Sequence, residues 1–430
     1  MSATARESWV ALMEDGQLVE MMLDQADQGR LLGDIYLGKV DAVLPGIQAA
    51  FVDIGSEKAG FLHGSDLETD DEEDENGGGR RGRARKCPPI QDVLQKGQTI
   101  IVQVTKEPIG TKGPRLTAQV SLPGRFLVYI PGSTHIGVSR KIEDREERAR
   151  LRNLSKRILP KGNGGIIVRT VSEELNEDTF RKEFKRLSSN WRKILKQEKG
   201  AKAPVLLRRE AKLISGVIRD LFSNRFESIT VDDKGIYNEI LTYVKSVAPE
   251  LKDRVRLYTD PVSLFDKYGV EEEVQGTFHS KVVFPSGGYI VIEPTEALVS
   301  IDVNTGRYRG KKNPESTILN TNLDAAREIA RQLRLRDIGG IIVCDFIDME
   351  SQKNRDRVVN EFRSHLEKDR ARTKVSEVSR LGLVEMTRQR VRPSLFQSLT
   401  QVCDHCEGAG RVYTPATVVR QIERSLKRAS

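Results

Sequence analysis

Apolar positions along the chain follow two rhythms. Over residues 8–106 they come as short runs broken by Gly and Pro at roughly 8–12-residue spacing, the pattern of a small barrel. Segments 8–13 and 14–23 predict a hairpin around a Glu-Asp-Gly turn, and 33–55, 58–63 and 97–106 supply the further strands. Residues 66–86 interrupt them with acidic side chains to Glu75, three glycines, and then Arg80 to Lys86. Such a block cannot bury apolar surface, so it is expected to be a disordered loop. Its basic half suits RNA, and the plainer reading is a solvated tether whose two halves partly neutralise each other.

Beyond the barrel, 115–170 reads as mixed β, with a charged helix over 142–159 stopped by Pro160. Residues 173–225 read as helical and rich in Lys and Arg, and 228–232 as a strand. From 278 onward the second rhythm is sharper. Segments 281–284 and 289–293 predict a hairpin across Pro-Ser-Gly-Gly, and the next strand ends at Asp302. From Ser316, a helix is marked by Ile318, Leu319, Leu323, Ala326, Ile329, Ala330 and Leu333. Gly339-Gly340 breaks it, and a strand runs to Asp345. Strand–helix–strand predicts two parallel, adjacent strands with both aspartates at their carboxyl ends, where active sites of such sheets gather.

Composition narrows the function classes. The chain has 430 residues, too many for one core, so two to four domains are expected. Hydrophobic residues make up 38% and charged residues 31%, and the net charge of +8 favours anionic partners, nucleic acid first. No apolar run reaches the roughly 18 residues of a membrane span, and the N-terminus lacks a secretory apolar core. Cysteines at 87, 344, 403 and 406 form no disulfide framework in a chain this long, so a reducing cytoplasm is expected.

Four sets of residues offer chemistry. Asp302 and Asp345 at strand ends suit a hard cation such as Mg²⁺, which takes one or two carboxylates plus water and substrate phosphate. Capping aspartates are equally common there. Asn304 and Asp348 lie close by. Cys403-Asp-His-Cys406 supplies two zinc ligands where a structural site needs four. Two such pairs across a dimer axis would complete one Zn²⁺, and unligated or redox thiols are the alternative. Cys344 alternates with Asp345 and reads as core. Phe51, Phe61 and Lys106 suit base stacking beside a basic groove, or the rings belong to the core. Arg169 and Thr170 suit a phosphate through charge-assisted hydrogen bonds, or form an ordinary strand end. No P-loop and no Gly-x-Ser-x-Gly is present, and the five histidines have no metal-ligand spacing.

The segments together resemble the RNase E/G family of bacterial endoribonucleases. The resemblance rests on Gly-Ile-Gln-Ala-Ala-Phe-Val-Asp-Ile-Gly (46–55), Gly-Ile-Ile-Val-Arg-Thr (165–170), Ser-Gly-Gly-Tyr-Ile-Val-Ile (286–292), Ser-Ile-Asp-Val-Asn-Thr-Gly (300–306), Gly-Gly-Ile-Ile-Val-Cys-Asp-Phe-Ile-Asp-Met (339–349), Leu-Val-Glu-Met-Thr-Arg (383–388) and the Cys403/Cys406 pair. It implies a multidomain α/β fold. Residues 1–30 and 213–276 would form an RNase H-like subdomain. An OB-fold RNA-binding barrel of the ribosomal S-one kind would occupy 31–116, a 5′-sensor 117–212 and a DNase I-like catalytic subdomain 277–397. A zinc link at 398–412 and a short basic helix at 413–430 would follow.

The resemblance also implies roles. Asp302 and Asp345 would ligate catalytic Mg²⁺, with Asn304 assisting. Arg169 and Thr170 would sense a 5′-monophosphate, and Phe51, Phe61 and Lys106 would contact single-stranded RNA. Cys403 and Cys406 would share structural Zn²⁺ between the chains of a homodimer, which is expected in place of a tetramer, without a degradosome scaffold region. The implied reaction is Mg²⁺-dependent hydrolysis of single-stranded RNA to 5′-phosphate and 3′-hydroxyl ends, in rRNA processing and mRNA decay. The residues alone leave open a non-catalytic RNA-binding protein and a DNA nuclease.

Overall fold

The computed structural model describes all residues except 5–6, 26–30, 68–87, 109–111, 140–141, 143, 161, 163, 174, 211–212, 223–225, 307–313, 380, 391–393 and 430. The chain forms two compact units, Met1–Val10 with Met22–Leu264, and Ala11–Met21 with Phe265–Ser430.

The N-terminal hairpin pairs β1 (Glu7–Glu14) with β2 (Gln17–Gln25). Its turn is Asp15-Gly16, both at positive φ (51° and 78°), the residue pair such a tight turn demands.

A six-stranded sheet follows, built from β3 (Ile35–Leu44), β4 (Ala49–Asp53), β5 (Gly60–His63), β6 (Thr99–Lys106), β7 (Arg115–Thr117) and the later β11 (Val205–Arg208). Its order is β11-β3-β4-β5-β7-β6, and a further β3–β6 pairing closes five of the strands into a barrel. Val40, Ala50, Val52, Leu62, Val102, Val104 and Leu116 alternate inward and fill it. Gly60 lets two strands meet: a Cβ there would stand 2.4 Å from Leu116 Cδ1. Strand β11 lies inside 173–225, where a helical reading was expected. Its Val-Leu-Leu run is too short for a helix turn pattern, and it pairs antiparallel with the start of β3. The expected loop at 66–86 falls mostly outside the described residues; Asp66 and Leu67 sit on a short turn after β5.

Next in unit one come β8 (Leu127–Ile130), β9 (Ile136–Val138), α1 (Arg145–Ile158), β10 (Gly165–Val168) and α2 (Glu177–Glu198). Helix α1 starts three residues later than its apolar pattern predicts. Asp144 caps it by accepting the Glu146 N–H, while Ile142 stays buried ahead of the cap. Leu151, Leu154, Phe180, Phe184 and Leu187 pack the two helices onto the sheet. The unit ends with α3 (Leu213–Asp220), β12 (Ile229–Val231), α4 (Lys234–Val247) and β13 (Val255–Leu257), whose two strands pair in parallel.

Unit two holds a six-stranded mixed sheet. Its elements are β14 (Lys281–Val283), β15 (Tyr289–Pro294), β16 (Leu298–Asn304), α5 (Pro314–Leu335), β17 (Gly340–Asp345), α6 (Gln352–Leu366), β18 (Thr373–Val378) and β19 (Leu383–Arg388). The order is β14-β15-β16-β17-β19-β18, with β16 and β17 parallel and adjacent. Ile290, Ile292, Ile301, Val303, Ile342, Cys344, Val384 and Met386 turn to one face and pack on Ala326, Ile329, Leu333, Val358 and Phe362 of α5 and α6. The other face of the sheet carries polar and partly exposed residues. A last helix, α7 (Pro415–Ala429), has no buried residue.

Candidate active site

Asp302 and Asp345 stand directly opposite one another in the β16–β17 register. Each follows a buried residue, Ile301 and Cys344, so the period of two turns both carboxylates to the open face of the sheet. Asn304, two residues on, shares that face and donates from Nδ2 to Asp302 Oδ2 at 2.7 Å. The three line a 340 Å³ cleft with Thr305 and the loop Phe346, Ile347 and Asp348. Asn322, fully buried on α5, fixes that loop: its side chain donates to the Ile347 carbonyl at 2.8 Å and accepts the Ile347 N–H at 3.0 Å. Sequence reading missed Asn322, because a polar residue inside a helical apolar stripe gives no sign of its partner.

The Asp345 carboxyl is raised above its ordinary range, first by burial and then by the carboxylates of Asp302 and Asp348. Like charges gathered on one rim are relieved by a cation. The donor set is hard oxygen throughout, which suits Mg²⁺ with several sites left to water and phosphate. Among the described residues no group of three or more His, Cys, Asp or Glu is placed to hold a metal. The cleft therefore offers two facing carboxylates and a neighbouring amide, fewer ligands than a closed structural site takes.

On the barrel, Phe51 pairs with Phe61, Phe61 with Arg115, and Arg115 with Lys106, one row across four strands. The two rings meet edge to face at 6.0 Å, and Phe51 is 36% exposed. Their neighbours Val52 and Leu62 fill the interior, so the Phe rings face outward rather than inward. Arg115, held by Asp66 at 3.0 Å, joins the row only through strand register and carried no signal in the sequence.

Arg169 and Thr170 follow β10, Thr170 opening a short turn to Ser172. Arg169 Nη1 donates to the Gly124 carbonyl at 2.8 Å and to Asp220 at 2.5 Å. Burial raises Asp220, but the adjoining Arg219 and then Arg169 outweigh it and hold its carboxyl below the ordinary range. Glu183 accepts the N–H groups of Arg125, Phe126 and Leu127, fixing the turn that presents Gly124. The Thr170 and Ser139 hydroxyls lie 3.2 Å apart. Arg169 is thus a braced guanidinium, with far more support than an ordinary strand end, and the Thr170 hydroxyl follows it in the chain.

Cys403 and Cys406 lie on one tight turn. The Cys403 thiol is held below its usual range by the backbone N–H of Cys406, then that of His405, then the Cys406 side chain. N–H groups aimed at sulfur favour the thiolate, the form that binds zinc. Cys344 is buried behind the sheet with its thiol pushed up to about 12, so it is core and not a ligand. Cys87 lies outside the described residues.

Comparison with known proteins agrees with this geometry at the level of family. The Ribonuclease E/G family matches residues 121–391, and the S1 RNA binding domain matches 32–118. Ribonuclease G of Haemophilus influenzae is 42% identical over 429 residues, covering 100% of this chain and 86% of that protein. Ribonuclease G of Escherichia coli K12 is 40% identical, covering 100% and 87%. Ribonuclease E of Synechocystis is 40% identical over 92% of this chain and 57% of its own length. No helix among the described residues is long and apolar enough to cross a membrane. The chain belongs to the ribonuclease E/G family, carries an S1 RNA binding domain, and is by enzyme class an endoribonuclease.

Proposed function

We propose that this chain hydrolyses single-stranded RNA with Mg²⁺ at the Asp302–Asp345 cleft, leaving 5′-phosphate and 3′-hydroxyl ends, and that a 5′-monophosphate stimulates it. One observation carries the reading: the two carboxylates face each other across adjacent parallel strands, on the open side of the sheet. Mg²⁺ held by Asp302 and Asp345 would supply a polarised scissile phosphate and a bound water of lowered pKa. Asn304 fixes the Asp302 carboxylate through Oδ2. The loop anchored by Asn322 sets the far wall. No histidine is among the described residues that line the cleft, which suits a reaction without a His base.

The accompanying roles belong to the same proposal. Phe51, Phe61 and Lys106 clamp the strand by stacking and charge. The Arg169 guanidinium and Thr170 hydroxyl receive the 5′-phosphate, a monophosphate fitting better than a triphosphate by size and charge. Cys403 and Cys406 share Zn²⁺ with the same pair of a second copy, making a homodimer. The layout of RNase H-like, 5′-sensor and DNase I-like subdomains around the barrel, cytoplasmic location, and work in rRNA processing and mRNA decay complete the reading.

The test compares one RNA oligomer carrying a 5′-monophosphate with its 5′-hydroxyl twin, with and without Mg²⁺. Cleavage that needs Mg²⁺ and runs faster on the monophosphate supports the proposal. Equal rates on the two RNAs remove the sensor role, and cleavage indifferent to Mg²⁺ removes the metal site.

A further inference from the structure

The open face of the carboxylate sheet carries an aromatic–basic pair, Lys281 and Tyr289, and although Tyr289 lies in the 286–292 motif, neither the resemblance nor the carboxylates give the pair a role. Strand register sets Lys281 opposite Val291, Val291 opposite Asp302, and Asp302 opposite Asp345. The same register sets Tyr289 opposite Asn304, the residue bonded to Asp302. Residues paired across neighbouring strands share a face. Lys281 and Tyr289 therefore stand on the carboxylates' own face, towards the β14 edge.

Their side chains touch: Lys281 Nζ lies 3.8 Å from the Tyr289 ring centroid. Lys281 is exposed and Tyr289 partly so, while Ile290 and Ile292 beside it fill the core. Backbone reaches the ring on one side. A Cβ on Gly306 would stand 3.3 Å from the ring and 2.3 Å from the Gly287 carbonyl, so bare backbone lies against the ring there. Gly306 also has a positive φ of 58°. Glycine is what such an approach requires.

A partly exposed ring beside an ammonium is what sequence-tolerant single-strand sites use, the ring for a base and the cation for its phosphate. The Lys281 Cα stands two strand spacings, roughly 10 Å, from that of Asp302. That separation suits the nucleotide next to the scissile phosphate rather than the phosphate itself. Lys281 can leave the ring for a phosphate at small cost, because a cation–π contact at an exposed site is weak.

We propose that Tyr289 and Lys281 form a positioning subsite for single-stranded RNA, Tyr289 stacking the base of a nucleotide beside the scissile bond and Lys281 holding its phosphate. This rests on the reading of the Asp302–Asp345 cleft given above. A purely structural pair that stiffens the β14–β15 hairpin is the competing account.

The experiment uses the full chain without divalent cation and 5′-phosphorylated RNA oligomers carrying 2-aminopurine at successive positions around the cleavage site. Stacking quenches the fluorophore, so the readout does not depend on cleavage. At one position the wild type should quench, Tyr289→Phe should match it, and Tyr289→Leu should lose the quench and bind about ten- to a hundredfold more weakly. Lys281→Gln should lower the slope of log affinity against log salt by about 0.7, one single-strand phosphate contact. Thermal melts check that each variant is folded. Quenching that Tyr289→Leu leaves unchanged at every position, with an unchanged salt slope in Lys281→Gln, overturns the proposal. The Mg²⁺ cleavage assay on the same oligomers reports separately on the cleft: a lost quench without any wild-type cleavage would count against the cleft and leave the subsite standing.

Discussion

At the scale of residues, the cleft opposes its own ionisation. Asp345 has its carboxyl raised by burial and then by Asp302 and Asp348. A carboxyl whose pKa rises on folding is destabilising once ionised, and protonation removes the penalty. The metal-free protein is thus expected to forgo stability above the ordinary carboxylate value of about 3.9 and regain it as pH falls through the raised one. Asp345→Asn should raise the Tm of the metal-free protein at pH 7, and its lead over wild type should shrink on acidification. Calorimetry across pH checks this, and a variant that melts lower than wild type at pH 7 would count against it. Under the proposed metal site, Mg²⁺ should raise the Tm of wild type more than that of the variant.

At the scale of elements, the register of β16 against β17 decides whether the two carboxylates face each other, and β19 holds β17 from its other side. Arg388, buried at the end of β19, clamps that strand. Its Nε donates to Asp369 at 2.6 Å and its Nη1 to Asp337 at 2.8 Å and to the Ile338 carbonyl at 2.9 Å. Removing the arginine takes the cation from two buried carboxylates, so Arg388→Met should cost about 3–5 kcal/mol in chemical denaturation. A loss under about 1 kcal/mol would show that the clamp is incidental. The strand–helix–strand unit around this clamp was legible in the sequence, because α5 has a clear apolar stripe and each flanking strand is an apolar run carrying an aspartate towards its carboxyl end, though β16 runs two residues past Asp302 to Asn304. Strand β11 was not legible: its partner β3 lies far back in the chain, and its four residues have no period of their own. The Phe51–Phe61–Arg115–Lys106 row shows the same limit. Two rings and a lysine stand out by type, but only pairing across β4, β5, β7 and β6 brings Arg115 beside them.

At the scale of the molecule, the S1 match falls in one compact unit and the carboxylate sheet in the other. The sequence places its two apolar rhythms mostly one in each unit, Ala11–Met21 excepted. It could not announce how Arg169 is braced, since Asp220 and Gly124 are distant in the chain and meet it only on folding. The Cys403–Cys406 turn brings two ligands, and zinc in a structural site takes four. Mass measurement in solution should find a dimer with one zinc per two chains, and Cys403→Ser or strong chelation should yield monomers. One zinc per chain, or a dimer untouched by Cys403→Ser, would remove the shared site.

The most direct measurement is RNA cleavage by Asp302→Asn beside its RNA affinity. The substitution keeps the shape of the side chain and removes the charge facing Asp345. Cleavage in Mg²⁺ should fall by several kcal/mol of barrier, on the order of a thousandfold or more, while affinity for 5′-phosphorylated RNA stays within about threefold of wild type. Mg²⁺-dependent cleavage at the wild-type rate in Asp302→Asn would contradict the account.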